Sequence, residues 1–96
     1  MPDSTHYDVK HDPAAKRFSV KVGDTLATAA YERTGNLIRF THTLVPPESE
    51  GQGIASALAT SALGYARAEG LTVEPQCAFF ARFMEKHPEY EDLRAG

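Results

Sequence analysis

The sequence predicts one small mixed α/β domain, an antiparallel meander of four strands followed by a helix, a strand and a second helix. Three observations carry this reading. In the first half, apolar residues alternate with polar ones between short turn-forming runs. After Pro46-Pro47 the period becomes helical and alanine accumulates. Between the halves lies a loop with two glycines in three residues, Gly51-Gln52-Gly53.

The elements follow in order. Tyr7–His11 is a short strand, ended by the turn residues Asp12-Pro13-Ala14-Ala15. Phe18, Val20 and Val22 alternate with Ser19 and Lys21, as in a half-buried strand, and Gly23-Asp24 turns the chain. Leu26–Arg33 is alanine-rich and has helix propensity, but tight turns on both sides favour a strand. Leu37–Val45 is the clearest strand, with Ile38, Phe40, His42 and Leu44 on one face. Pro46-Pro47 ends it. Gly53–Glu69 reads as a helix whose stripe is Ile54, Leu58, Ala62 and Tyr65, flanked by Ala55, Ala59 and Ala66. Gly70 suits a left-handed cap. Leu71–Glu74 is a buried strand closed by Pro75. Ala78–His87 is the second helix, packed through Phe79, Phe80, Phe83 and Met84, and the acidic tail Glu89–Gly96 is expected to be loosely held. The crossover from Leu37–Val45 to Leu71–Glu74 makes those two strands parallel.

Composition narrows the function. The 96 residues suit one domain and bury a modest core, roughly 60–70% of the unfolded surface. The net charge is −3 and the ten Lys and Arg residues are scattered, which argues against nucleic acid as a partner. One cysteine excludes an internal disulfide and points to a reducing, cytoplasmic setting. The polar N-terminus carries no signal peptide, and no apolar run approaches membrane length. No His/Cys spacing suggests a metal site.

The loop Pro46–Gly53 joins the C-terminal end of a central strand to a helix N-terminus, the edge at which open α/β sheets bind ligands. Its glycines let successive N–H groups converge, and the helix dipole adds positive potential, so a pyrophosphate is the natural guest. A P-loop is excluded because no Gly-Lys pair exists. A dinucleotide fingerprint is excluded because Ser56 stands in place of its third glycine and the preceding strands form a meander.

The stretch Glu50-Gly51-Gln52-Gly53-Ile54-Ala55, after His42-Thr43-Leu44-Val45-Pro46, resembles the acetyl-CoA loop of the GNAT acyltransferase superfamily, written Gln/Arg-x-x-Gly-x-Gly/Ala. Glu50 stands where Gln or Arg is usual. With Phe40-x-His42-Thr43 and Pro75-x-Cys77-x-Phe79, the chain is similar from about Phe18 to Leu93 to minimal, single-domain YjdJ-type GNAT-like proteins. The resemblance implies a mixed sheet with a V-shaped splay between its two parallel strands. It also implies acetyl-CoA, or coenzyme A, as cosubstrate and an amine of unknown identity as acceptor. The main chain of Leu44 and Val45 would then bind the pantetheine arm. The loop from Glu50 through Gly51, Gln52, Gly53 and Ile54 to Ala55 would hold the pyrophosphate.

Two side chains are candidates for the chemistry. Cys77 opens the second helix, on the same sheet edge as the glycine loop, where a helix N-terminus lowers a thiol's pKa. It suits a proton donor to the departing CoA thiolate, an acyl-accepting nucleophile, or a small buried core residue. His42 suits either a base for an amine or a hydrogen-bonded sheet residue. His6, His11 and His87 read as solvated, and Tyr31 and Tyr65 as core or rim. An acyltransferase and a CoA-binding module without turnover are both compatible with these residues.

Overall fold

The computed structural model describes residues 8–46 and 53–94. Strands β1 (Lys10–Asp12), β2 (Arg17–Val22), β3 (Thr25–Thr34), β4 (Leu37–Leu44) and β5 (Thr72–Pro75) form one sheet in the order β1-β2-β3-β4-β5. The first four are antiparallel to their neighbours, and β4 and β5 are parallel. Helices α1 (Ile54–Ala68) and α2 (Ala78–Lys86) and a 3-10 helix (Pro88–Leu93) complete the fold.

The alanine-rich segment is a strand, as its flanking turns predict. Ala27 and Ala29 are fully buried, and so are Ala59, Ala62 and Ala66 of α1. Small side chains on both layers let the helix lie close to the sheet, while Ile54, Leu58 and Leu63 supply bulk. Leu63 lies beside the predicted stripe and is also fully buried. The helix ends in a Schellman motif. Gly70 adopts φ 70°, its N–H reaches the Arg67 carbonyl and that of Leu71 reaches Ala66. Buried Leu71 then leads directly into β5.

One irregularity in the sheet matters for everything that follows. Ala30 pairs with His42, but the next residue, Tyr31, pairs with Phe40. Thr41 is therefore an extra residue in β4, a β-bulge. Directly paired residues share a face, so Phe40 joins buried Tyr31 whereas Thr43 joins buried Ala29. His42 and Leu44 pair with Ala30 and Thr28 and lie exposed on the opposite face. The expectation that Ile38, Phe40, His42 and Leu44 share one face is thus overturned, because strict alternation fails at the inserted residue.

Three smaller expectations are also corrected. The C-terminal tail is held down rather than loose. Leu93 is buried, Arg94 forms a parallel bridge to Val73, and the Arg67 guanidinium forks onto both oxygens of Asp92 at 3.0 and 3.1 Å. His11 is half-buried. It stacks on Phe18, meets Tyr65 edge-on, and shares a 2.6 Å hydrogen bond with the Tyr31 hydroxyl. His87 stacks on Phe83 and bonds the Phe83 carbonyl through Nδ1 at 2.8 Å. Aromatic side chains from β2, β3 and α1 surround the His11 ring, which no one-dimensional pattern announces, whereas the His87 ring stacks on a residue four positions before it. His6 and Tyr7 lie outside the described residues.

Candidate active site

The site begins where β4 and β5 part. Their ladder runs from Leu37–Thr72 to Phe40–Pro75 and stops there, because proline has no N–H to donate. Gln76 turns back onto the Glu74 carbonyl at 3.1 Å, and the Cys77 N–H takes the Phe40 carbonyl at 2.8 Å. Beyond that point β4 continues through Thr41–Leu44 with, among the described residues, only β3 beside it. Its other edge presents main-chain groups to whatever enters the gap. Leu44 is 64% exposed at the mouth, and Val45 packs partly against the core.

The second wall is the start of α1. Gly53, its N-cap, has φ 81° and ψ 9°, a left-handed conformation that side chains with Cβ adopt only under strain. Among the described residues no side chain caps this helix, and its first turn holds no acidic residue. The Ala57 N–H bonds the Gly53 carbonyl, so the N–H groups of Ile54, Ala55 and Ser56 precede the first intrahelical bond. Uncapped N–H groups at the positive end of a fifteen-residue helix suit an anion. Glu50, Gly51 and Gln52 lie outside the described residues.

The third wall is Cys77, the N-cap of α2, half-buried at the floor of the gap. Its Sγ lies 3.2 Å from the Thr43 hydroxyl. Burial pulls its thiol pKa up and is the largest single influence. Hydrogen bonds from the Thr43 hydroxyl and from the main chain of Phe80, Phe79 and Thr43 together outweigh burial, so the net shift is downward. The β4 edge offers main-chain groups, the start of α1 offers N–H groups that precede its first intrahelical bond, and the start of α2 offers a thiol.

A profile of the GCN5-related N-acetyl-transferase family matches residues 17–93. The chain belongs to this family. In solved structures, the fold of this N-acetyltransferase-family member is similar to the NMR solution structure of a GCN5-like candidate N-acetyltransferase from Staphylococcus aureus. The two share 26% identity with a TM-score of 0.75, over 96% of this chain and 91% of the other. No curated protein matches the chain.

Within this family member, Cys77 is tied to β4 at Phe40 and Thr43, whereas His42 stands apart. His42 is exposed on the opposite sheet face, 3.3 Å by Nδ1 from the Thr41 hydroxyl. Sequence reasoning missed Thr43. Its neighbour drew attention as the titratable residue of the His42-Thr43 pair, and only the bulge reveals which of the two meets the thiol. Among the described residues no group of three or more His, Cys, Asp or Glu side chains converges as a metal site. No described helix is long and apolar enough to cross a membrane.

Proposed function

We propose that this acetyltransferase-family chain transfers the acetyl group of acetyl-CoA to an amine, with Cys77 as the group that receives the acyl carbon. The observation that carries the reading is the Cys77 thiol at an α-helix N-terminus, hydrogen-bonded by Thr43, beside the unpaired edge of β4. The pyrophosphate rests on the N–H groups that open α1, together with Glu50, Gly51 and Gln52 of the preceding loop. Gly53 lets the backbone approach. The main chain of Leu44 and Val45 takes the pantetheine amides as an added strand would.

A lowered thiol pKa would serve a proton donor as well as a nucleophile, and the hydrogen bonds at Sγ, which favour the anion a nucleophile needs, support the nucleophilic reading we adopt. The Cys77 sulfur bonds to the acyl carbon while the bond from that carbon to the CoA sulfur breaks, and CoA leaves as a thiolate that takes a proton from water. The acceptor amine then bonds to the acyl carbon, the Cys77 sulfur leaves, and the amine gives up a proton. His42, exposed on the sheet face opposite Cys77, is not placed to take that proton, which passes to solvent. The partners are thus acyl-CoA and an amine, and the single unpaired thiol suits the reducing cytoplasm.

Incubation with acetyl-CoA followed by intact-mass analysis tests this. A hydroxylamine-labile gain of about 42 Da, one acetyl group, is expected on the wild type and not on Cys77→Ala. His42→Gln should form the adduct and discharge it to amines as the wild type does, because His42 lies on the opposite sheet face. Acetyl transfer by Cys77→Ala at the wild-type rate would refute covalent catalysis. A protein that binds acetyl-CoA yet acquires no adduct and turns over no amine would be a binding module.

A further inference from the structure

We propose that Thr43 is a positioning residue of the acyl-transfer site, whose hydroxyl donates a hydrogen bond to the Cys77 thiolate and is brought there by the β4 bulge. The inference rests on the reading of Cys77 as the acyl acceptor and adds the residue that makes the thiol ready. Three observations on different elements converge on it.

The bulge at Thr41 is the first. Without the inserted residue, β4 would alternate from Phe40 inward to His42 inward, and Thr43 would face the open side of the sheet. With it, Thr43 pairs with fully buried Ala29 and lies on the helix side. The second is the anchoring of α2. The Cys77 N–H is tied to the Phe40 carbonyl at 2.8 Å, three residues before Thr43 on the same strand. One end of the thiol-bearing residue is therefore fixed to β4 by main chain, and Sγ is set 3.2 Å from the Thr43 hydroxyl by construction of the fold. The third is the rest of the sulfur's surroundings, the main-chain groups of Phe79 and Phe80 in the first turn of α2.

These donors have a definite chemical consequence. When the Cys77 S–H bond breaks, the proton leaves to solvent and the charge stays on Sγ. The hydroxyl then points its hydrogen at the sulfur, and its oxygen has no competing partner among the described residues. A hydrogen bond made to the charged form stabilises that form. Thr43 touches neither the CoA sulfur nor the amine in this scheme, so it acts only through Cys77.

The test is the pH dependence of iodoacetamide alkylation of Cys77 in the wild type, Thr43→Val and Thr43→Ser. Valine keeps the shape and the β-branch but removes the hydroxyl, and serine restores it. In Thr43→Val the midpoint of the profile should rise by about one pH unit. At neutral pH alkylation should slow about fourfold, a tenfold loss of thiolate partly offset by the greater nucleophilicity of a more basic sulfur. Thr43→Ser should stay within about half a unit of the wild type. A Thr43→Val profile that overlays the wild type would overturn the proposal, as would a Thr43→Ser profile that shifts as far as that of Thr43→Val. Thermal unfolding of the variants separates either result from misfolding. The two readings fail separately. If Cys77→Ala still transfers acetyl while Thr43→Val shifts the thiol, the covalent mechanism fails, the positioning role in acyl transfer falls with it, and only the hydrogen bond that tunes the thiol stands.

Discussion

Gly53 offers a quantitative check on how α1 begins. Its φ of 81° lies in the left-handed region, which costs an L-residue with a Cβ roughly 1–2 kcal/mol. Gly53→Ala should therefore destabilise the fold by about that amount, and Gly53→Asn by less, because asparagine tolerates the conformation. For a domain of this size each kcal/mol moves Tm by about 4–8 °C, so the alanine variant should melt roughly 4–16 °C lower. Gly53→Val should fall further, since a β-branched side chain crowds the same backbone. Circular-dichroism melts give the stability order, and calorimetric titration with CoA gives the binding order. Affinity should fall from glycine through asparagine and alanine to valine, being lost in the last. At a position with ordinary dihedrals, replacing glycine by alanine stabilises by about 0.4–1 kcal/mol through the unfolded chain. An unchanged or raised Tm for Gly53→Ala would refute the assigned geometry. Full CoA affinity in a folded Gly53→Val protein would refute the loop's role.

Other perturbations follow from the packing. Phe40 is fully buried and stacked on Phe80 at 4.3 Å, so Phe40→Ala should cost about 3–5 kcal/mol in urea melts; a loss under about 1 kcal/mol would contradict the stated core. Burial lowers the His11 pKa, against the opposing pull of Asp12, so the unfolded chain binds the proton more readily than the native one. Stability attached to His11 is therefore intact above about pH 6.5 and declines as pH falls through the lower native value. Between pH 7.5 and 5.5 the wild type should lose more stability than His11→Phe, and parallel losses would refute this. Arg67→Ala should speed hydrogen exchange at Leu93 and Arg94 while leaving the amides of β3 protected, and unchanged exchange would mean that the tail is held by Leu93 alone.

Much of this fold was legible in sequence because its signals are local. Turn residues bracket each strand of the meander, and prolines and Gly70 mark where elements stop. A glycine at the loop–helix junction has only a few physical uses. The alternation of β4 was legible up to Phe40 and then misleading. A bulge depends on pairing with β3, and the β3 sequence carries no mark of it. The same nonlocality hid Thr43. A threonine is ordinary in any strand, and its importance comes from a sulfur thirty-four residues later. His11 and His87 were misjudged for a related reason. Each carries a polar label, yet the His11 ring lies against aromatic neighbours from β2, β3 and α1, and the His87 ring against Phe83 of α2.

The central claim is that an acyl-CoA occupies the gap where β4 leaves β5, with its phosphates on the start of α1. Amide chemical shifts followed during titration with acetyl-CoA test it most directly. The account predicts saturable binding in the micromolar range, about −8 kcal/mol. The largest shifts should fall at Thr43, Leu44 and Val45, at Ile54 and Ala55, and at Cys77. Absence of binding, or shifts gathered instead on the open sheet face around Arg17 and Lys21, would contradict it.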